Sequence, residues 1–251
     1  MVADALIYHP SVAQYLKFVA TTGMTPLTSK IPPLRLLGRD KALRTLQYVS
    51  RFLAWYLYRT NHPASSIAPF EAAKKQFGLT RKLMRVGKFV EHFKAAAVAS
   101  DAKSLDPVLR YTAVGKQLGY AGYMLFDNAV VLDAANIYKY PASARLVREG
   151  NKAWFTGISM SILSGLYQLY RLRERSAKLS SSKSAEAEPV VEAKKIAREA
   201  NAVRLQLLSD LCDLTIPATA LGWAKFDDGV VGIAGTVSSL LGLYSQWKKV
   251  A

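Results

Sequence analysis

The alternation of apolar and polar positions is most informative over residues 71–99. At about 100° per residue, apolar side chains gather on one side of a helical wheel, and basic side chains and a histidine gather almost opposite. This pattern predicts one basic amphipathic helix, which could lie in the headgroup region of an anionic bilayer or pack on a protein core with a solvated basic back. The apolar side contains Leu79, Leu83, Val86, Phe89, Val90, Phe93 and Ala97, and the basic side contains Lys74, Arg81, Arg85, Lys88 and His92.

The rest of the chain also shows helical spacing, and no strand alternation or hairpin dipeptide interrupts it. Asp40 is placed to cap a helix over 41–58. The Asp106-Pro107 pair has the N-cap and first-turn proline pattern, and it predicts a helix that reaches towards Asn136. The sequence therefore predicts an all-α, multi-helix, membrane-associated protein.

Two uncharged windows in the C-terminal half are candidates to enter a bilayer. Residues 153–170 and 229–247 contain 18 and 19 uncharged residues, and a span needs roughly 20 apolar residues. One or both are therefore transmembrane candidates, with buried helices of a bundle or helices embedded in one leaflet as the alternatives. The second window carries small residues at spacings of three and four, which predict close packing on another membrane helix and hence self-association. These are Gly232, Gly235, Ser239 and Gly242.

Charge divides the chain into four regions. Residues 1–152 form a basic helical region that includes the 71–99 helix, and they carry 22 basic and 9 acidic side chains. The hydrophobic helix over 153–170 follows, then a polar linker over 171–204, and then a hydrophobic helical region over 205–251. The polarity of the linker predicts a flexible or partly helical segment.

The whole chain has a formal charge of +16, from 34 Lys and Arg against 18 Asp and Glu. This surplus favours a polyanionic partner, either nucleic acid or anionic lipid. Because 51% of the residues are hydrophobic, we expect an anionic phospholipid membrane and no nucleic acid. A basic helical nucleic-acid binder is the rival interpretation.

Residues suited to catalysis are sparse. The chain has three histidines and one cysteine, Cys212, and neither metal-ligand spacing nor a nucleotide-binding glycine motif is present. We therefore expect no enzyme activity, no cofactor and no metal. Asp210 and Asp213 are predicted to lie on the polar side of an amphipathic helix, and Asp227-Asp228 to cap the last helix.

Three separate segments together resemble the motifs of one known family. Residues 38–48 read GRDKALRTLQY, residues 81–91 read RKLMRVGKFVE, and residues 228–232 and 238–244 read DGVVG and SSLLGLY. In this order they resemble the N-terminal signature, the membrane-active helix and the last hydrophobic segment of the peroxin-eleven family of peroxisomal membrane-elongation proteins. The second resemblance adds Lys82 to the expected membrane-binding residues.

This resemblance implies a peroxisomal membrane protein that remodels and elongates the membrane by inserting an amphipathic helix and so promotes division. It also implies self-association and cooperation with a dynamin-related GTPase and its adaptors. A channel, or a channel-associated protein, for small metabolites is the alternative suggested for the family. The Lys248-Lys249 pair resembles a coat-binding signal and also suits the flanking charges of a last span.

Overall fold

The computed structural model describes residues 34–181 and 187–250, and α-helices are the regular elements of this part of the chain. The all-α fold class is confirmed for these residues. Predictions on residues 1–33, on the linker residues 182–186 and on the Lys248-Lys249 side chains lie outside the described part. In chain order the helices are α1 (Leu34–Arg59), α2 (Ala64–Met84), α3 (Phe89–Asp101), α4 (Pro107–Ala129), α5 (Val131–Ala134), α6 (Ser143–Ser181), α7 (Ala187–Ala220) and α8 (Asp228–Val250).

The pairwise contacts between helices form a closed series. Helix α1 lies between α2 and α8, α7 lies between α8 and α6, and α4 lies between α6 and α3. Smaller contacts of α2 with α4 and α5 close the series. The first and last described helices are therefore neighbours, so the two ends of the chain depend on each other for burial of their apolar faces.

Glycines allow the closest of these contacts. A Cβ atom built on Gly119 of α4 would lie 2.5 Å from the Cα of Gly157 in α6, which is closer than any real Cβ contact. On α8, a Cβ atom at Gly235 would lie 2.3 Å from the Tyr48 ring of α1. Small residues at these positions let helix backbones approach each other, as the sequence predicted for the α8 seam.

Two predicted helix starts are confirmed. Pro107 begins α4, and the Asp106 carboxylate accepts a hydrogen bond of 2.9 Å from the backbone N–H of Val108. Asp227 accepts a hydrogen bond of 2.9 Å from the backbone N–H of Val230 at the start of α8. A short polar side chain at these positions satisfies backbone donors that the helix itself leaves unpaired.

Other predicted boundaries differ from the structure. Helix α1 begins before Asp40, so this carboxylate lies inside the helix and pairs with another helix instead of capping its own. Helix α4 ends at Ala129, well before Asn136. The segment predicted as a polar linker over 171–204 is helical wherever it is described, because it supplies the end of α6 and most of α7. The polar composition of residues 171–204 corresponds, where the segment is described, to exposed surface on these two helices.

The two uncharged windows form parts of α6 and α8. Within 34–181 and 187–250, no helix is long and apolar enough to cross a bilayer. The boundary at residue 152 falls inside α6, so the basic region and the first hydrophobic window share one continuous helix.

Candidate membrane-contact surface

The segment predicted as one helix over 71–99 is two helices with a tight break between them. Helix α2 ends at Met84, and α3 begins at Phe89. Gly87 has φ 79°, a left-handed conformation that glycine adopts without steric cost. Turn hydrogen bonds from Val86 N to Leu83 O (3.2 Å) and from Lys88 N to Arg85 O (3.1 Å) hold the break. Gly87 therefore lies in the turn that separates the two helices.

The basic side chains of this segment face the protein. Arg81 is only 7% exposed and donates to the Asp40 carboxylate at 3.0 Å and to Gln47 Oε1 at 2.7 Å. Lys82 and Arg85 both contact the carboxylate of Asp127 in α4, and the Arg85 bond measures 2.8 Å. These ion pairs attach α2 to α1 and α4, where pairing offsets the cost of burying each charge.

Electrostatics at this contact favour the ionised carboxylate. Burial on its own would raise the pKa of Asp40, but the guanidinium groups of Arg81 and Arg85 outweigh burial and hold that pKa below its ordinary value. Arg85 also lies over the Tyr123 ring at 5.6 Å from its centroid. The break is therefore held in place by charge on its inner side.

The apolar side chains of the same segment face outward. Leu83 and Val86 are 51% and 56% exposed, and Met84 and Phe93 are also exposed. We call these four residues, Leu83, Met84, Val86 and Phe93, the outer apolar surface. Leu79, Phe89 and Val90 are half-buried, and the Phe89 ring meets the Phe93 ring edge to face at 6.4 Å. Exposed large apolar side chains at one place indicate contact with a partner or a membrane.

The remaining predicted membrane-binding residues have contacts of their own. Lys74 pairs with Glu71 at 2.6 Å and approaches Asp228 at 3.7 Å. Lys88 is half-buried at the start of α3. The basic members of the predicted set therefore contact different helices, with Lys74 near α8 and Lys82 and Arg85 against Asp127 of α4.

The small residues of α8 contact α1 of the same chain. Cβ atoms at Gly232 and Gly242 would lie 2.9 Å from the Phe52 backbone and 3.1 Å from the Lys41 side chain. Ser239 is fully buried and donates to the Gly235 carbonyl oxygen at 2.5 Å. The contact that this seam makes within the chain is with α1, and self-association through these residues stays a prediction.

Buried polar residues are what the sequence interpretation missed. Asp213 is paired with Arg44 across α7 and α1, and one of the two bonds measures 3.3 Å. Asp210 is 3% exposed and accepts a hydrogen bond of 2.6 Å from Ser161 of α6. Both aspartates were predicted on the polar side of an amphipathic helix. Their helical spacing with Gln206, which donates to Asp210 at 2.8 Å, was the available signal of a shared face, but spacing does not say whether that face is buried.

No group of histidine, cysteine or acidic side chains within the described ranges could hold a metal ion. Burial and the negative charge of Asp213 raise the pKa of the Cys212 thiol, so this thiol has little thiolate character at neutral pH. The distinguishing feature of the described surface is its exposed apolar area.

Known proteins with similar sequences show the family of this chain. The family model for peroxisomal biogenesis factor 11 (PEX11) matches residues 35–247. The chain is 28% identical to peroxisomal membrane protein PMP27 of Saccharomyces cerevisiae and 26% identical to PMP30B of Candida boidinii, over 99% and 98% of both chains in each pair. It is 22% identical to peroxisomal membrane protein 11A of Homo sapiens, over 84% of this chain and 94% of that protein. No solved structure matches the chain significantly. The chain therefore belongs to the peroxisomal biogenesis factor 11 family of peroxisomal membrane proteins.

Proposed function

We propose that this protein elongates the peroxisomal membrane by inserting the outer apolar surface into one leaflet, and that the elongated membrane then divides. The observation that carries this proposal is the orientation of the α2–α3 break. Its apolar side chains are exposed, while Arg81, Lys82 and Arg85 at the same place are held by carboxylates of the protein.

In this orientation the apolar residues and the basic residues have different roles, namely membrane insertion and attachment to the protein. The apolar residues Leu83, Val86 and Phe93 enter the hydrocarbon boundary, at a depth of roughly 5–10 Å for a helix lying in the interface. Each contributes up to about 1.5–3 kcal/mol if it becomes fully buried. The basic residues Arg81 and Arg85 fix the direction in which that surface points. Attraction to anionic lipid then comes from exposed lysines nearby, such as Lys75 and Lys94.

Insertion into one leaflet expands the area of that leaflet and favours curvature. A curved, elongated membrane is a suitable substrate for a dynamin-related GTPase and its adaptors, which are part of this proposal. Self-association is also part of it, because many wedges are needed along a tubule. The α8 seam is occupied by α1, so copies of the chain would meet through other exposed surfaces.

The test replaces the outer apolar surface in the full-length protein. We expect Leu83→Ser, Val86→Ser and Phe93→Ser together to abolish peroxisome elongation in cells, measured by microscopy of organelle shape. The matched control is Leu163→Ser with Leu166→Ser, which changes equally exposed leucines on α6 and should preserve elongation. Normal elongation with the triple variant, or equal loss with the control, would contradict insertion at the α2–α3 break.

One observation favours a metabolite channel as a second candidate. A buried polar series joins α4, α6 and α7, in which Lys116 donates to Ser161 at 2.9 Å and Ser161 donates to Asp210. Polar side chains between helices can form a path for hydrated solutes. If such a path conducts, the reconstituted protein will show ion currents in planar bilayers that Asp210→Asn alters. Silent bilayers containing folded protein would exclude this candidate.

A further inference from the structure

A pocket of about 720 Å³ lies among α1, α4, α7 and α8, and its lining shares no residue with the outer apolar surface. Cavities of about 300–1,000 Å³ are typical of sites for small ligands. Polar and apolar groups contribute about equally to the wall, and Leu205 and Leu241 supply part of the apolar area. Polar side chains that line it include Lys41, Arg198, Asn201, Gln206, Ser209 and Ser245.

Two carboxylates line this pocket, but the protein already satisfies both. Asp213 is ion-paired with the buried guanidinium of Arg44. Asp210 accepts hydrogen bonds from Ser161 and Gln206, and burial raises its pKa above the ordinary value for a carboxyl group. The charge of Asp213 is therefore paired before any ligand enters, and both oxygens of Asp210 already accept hydrogen bonds.

The positive charges of the pocket are not offset in the same way. Within the described residues, no carboxylate lies within ion-pair distance of Lys41 or Arg198. Burial, followed by the nearby Arg44 charge, lowers the pKa of Lys41 to about 8, although Asp213 and Asp40 oppose this shift. Its protonated form therefore lies in a place where an anion would stabilise it.

The backbone at Gly242 accommodates this lysine. A Cβ atom there would lie 3.1 Å from Cδ and Cε and 3.2 Å from Nζ of Lys41. Lys41 thus lies directly against α8 at one of the small residues of the seam. Gly242, which the sequence assigned to contact between copies, leaves room for a charged side chain at the pocket wall.

From this arrangement we infer that the pocket binds the phosphate group of a phosphorylated ligand about the size of a lipid headgroup, with Lys41 and Arg198 as its cationic contacts. A phosphate offers several strong acceptor oxygens to these cations and to hydroxyl or amide donors such as Ser209 and Asn201. The volume exceeds that of the phosphate alone, which leaves room for an organic substituent beside Leu205. Two sources supply this chemistry: a membrane phospholipid or a soluble phosphorylated molecule.

The experiment uses the full-length protein in micelles of an uncharged detergent, with glycerol 3-phosphate as the soluble probe and ³¹P NMR as the readout. In nanodiscs, phosphatidic acid is compared with the same mole fraction of oleic acid, which carries charge without phosphate. Binding of glycerol 3-phosphate indicates a soluble source, and binding of phosphatidic acid alone indicates a lipid source. Both outcomes support the phosphate site.

Variants decide whether the pocket is responsible. We expect Lys41→Met and Arg198→Gln each to weaken phosphate binding by about tenfold or more, because each removes one charge-assisted contact. Lys195→Gln is the matched control, since Lys195 is exposed on α7 and does not line the pocket. Arg198 is exposed, so its variant should fold even if Lys41→Met does not, and circular dichroism checks this.

Three results would overturn the inference: no binding of either phosphate probe, equal binding of oleic acid and phosphatidic acid, or equal weakening by Lys195→Gln. None of these results would affect the elongation test of the outer apolar surface. Each of the two proposals can therefore be contradicted without affecting the other.

Discussion

Helix α1 contacts α8 and α2 with different balances of packing and charge. Against α8, aromatic side chains of α1 fill the space that glycines leave, with Tyr48 against Gly235 and Trp55 against Gly229, and one ion pair, Arg51–Asp228 at 2.6 Å, lies at the start of α8. Against α2, the contact includes the Asp40–Arg81 ion pair, and a second ionic contact joins α2 to α4 at Asp127. Close packing therefore contributes more to the α1–α8 contact, whereas ion pairs contribute more to the attachment of α2.

This difference shows which part of the molecule can respond to a membrane. A contact made by close packing changes little with pH or with a charged surface nearby. A contact made by partly buried ion pairs is sensitive to protonation and to removal of one partner. The charged contacts are those that orient the outer apolar surface, so the proposed membrane-active segment is also the segment with the more adjustable attachment.

The largest expected effect comes from removing the shared carboxylate of the charged contact. We expect Asp127→Ala to destabilise the protein by about 3–5 kcal/mol, because Lys82 and Arg85 lose their partner while still partly buried. Chemical denaturation in detergent measures this loss. Combining Asp127→Leu with Lys82→Met and Arg85→Met should restore most of it, since apolar replacement of all partners leaves no unpaired charge. A loss below about 1 kcal/mol in Asp127→Ala would contradict a charge-based attachment.

The packed contact should respond to added volume. We expect Gly235→Ala to cost about 1–3 kcal/mol, because the new methyl group overlaps the Tyr48 ring. The same denaturation measurement applies, with Gly242→Ala as the control. There the methyl group meets the flexible Lys41 side chain, and the cost should be smaller. If the two substitutions cost the same, the α8 seam is not a tight interface with α1.

A smaller effect should appear in acid. The pKa of Asp40 is lowered on folding, so its ionised form stabilises the native state above its ordinary pKa of about 3.9, and this stability is lost as the pH falls through the lower, folded value. Asp228 behaves alike, since Arg51 and Lys74 outweigh its burial. We expect the midpoint temperature of thermal unfolding to decrease as the pH is lowered below about 4. The decrease should be less steep in Asp40→Asn. Identical acid profiles would mean that the Asp40–Arg81 pair contributes no stability.

Much of the fold could be predicted because its signals are local. The Asp106-Pro107 start of α4 and the Asp227 cap of α8 depend on side chains within three residues of the groups they satisfy. The small residues of α8 predicted a close helix contact, which the structure has. The identity of the partner was not predictable, because spacing on one helix does not reveal whether the neighbour is α1 or a second copy.

The candidate membrane-contact surface likewise combines local features that were predictable with long-range contacts that were not. Helical spacing separated the apolar and basic sides around Leu83 and Arg85. Which side faces the protein depended on Asp40 and Asp127, which lie 41 and 42 residues from their arginine partners. A helical wheel contains no information at that range, so it did not reveal that Arg81 and Arg85 pair with carboxylates of other helices.

By itself, the sequence determined the helical class, the segregation of charge, the family and the small residues needed for close packing. These properties follow from local backbone preferences and from the order of residue types along each helix. Only the tertiary structure decided that Arg81 and Arg85 point inward, that the α8 glycines receive α1, that Asp210 is buried and that Asp213 pairs with Arg44. The physical reason is that burial and ion pairing depend on which helices meet, and that choice minimises unpaired charge and empty space over the whole chain.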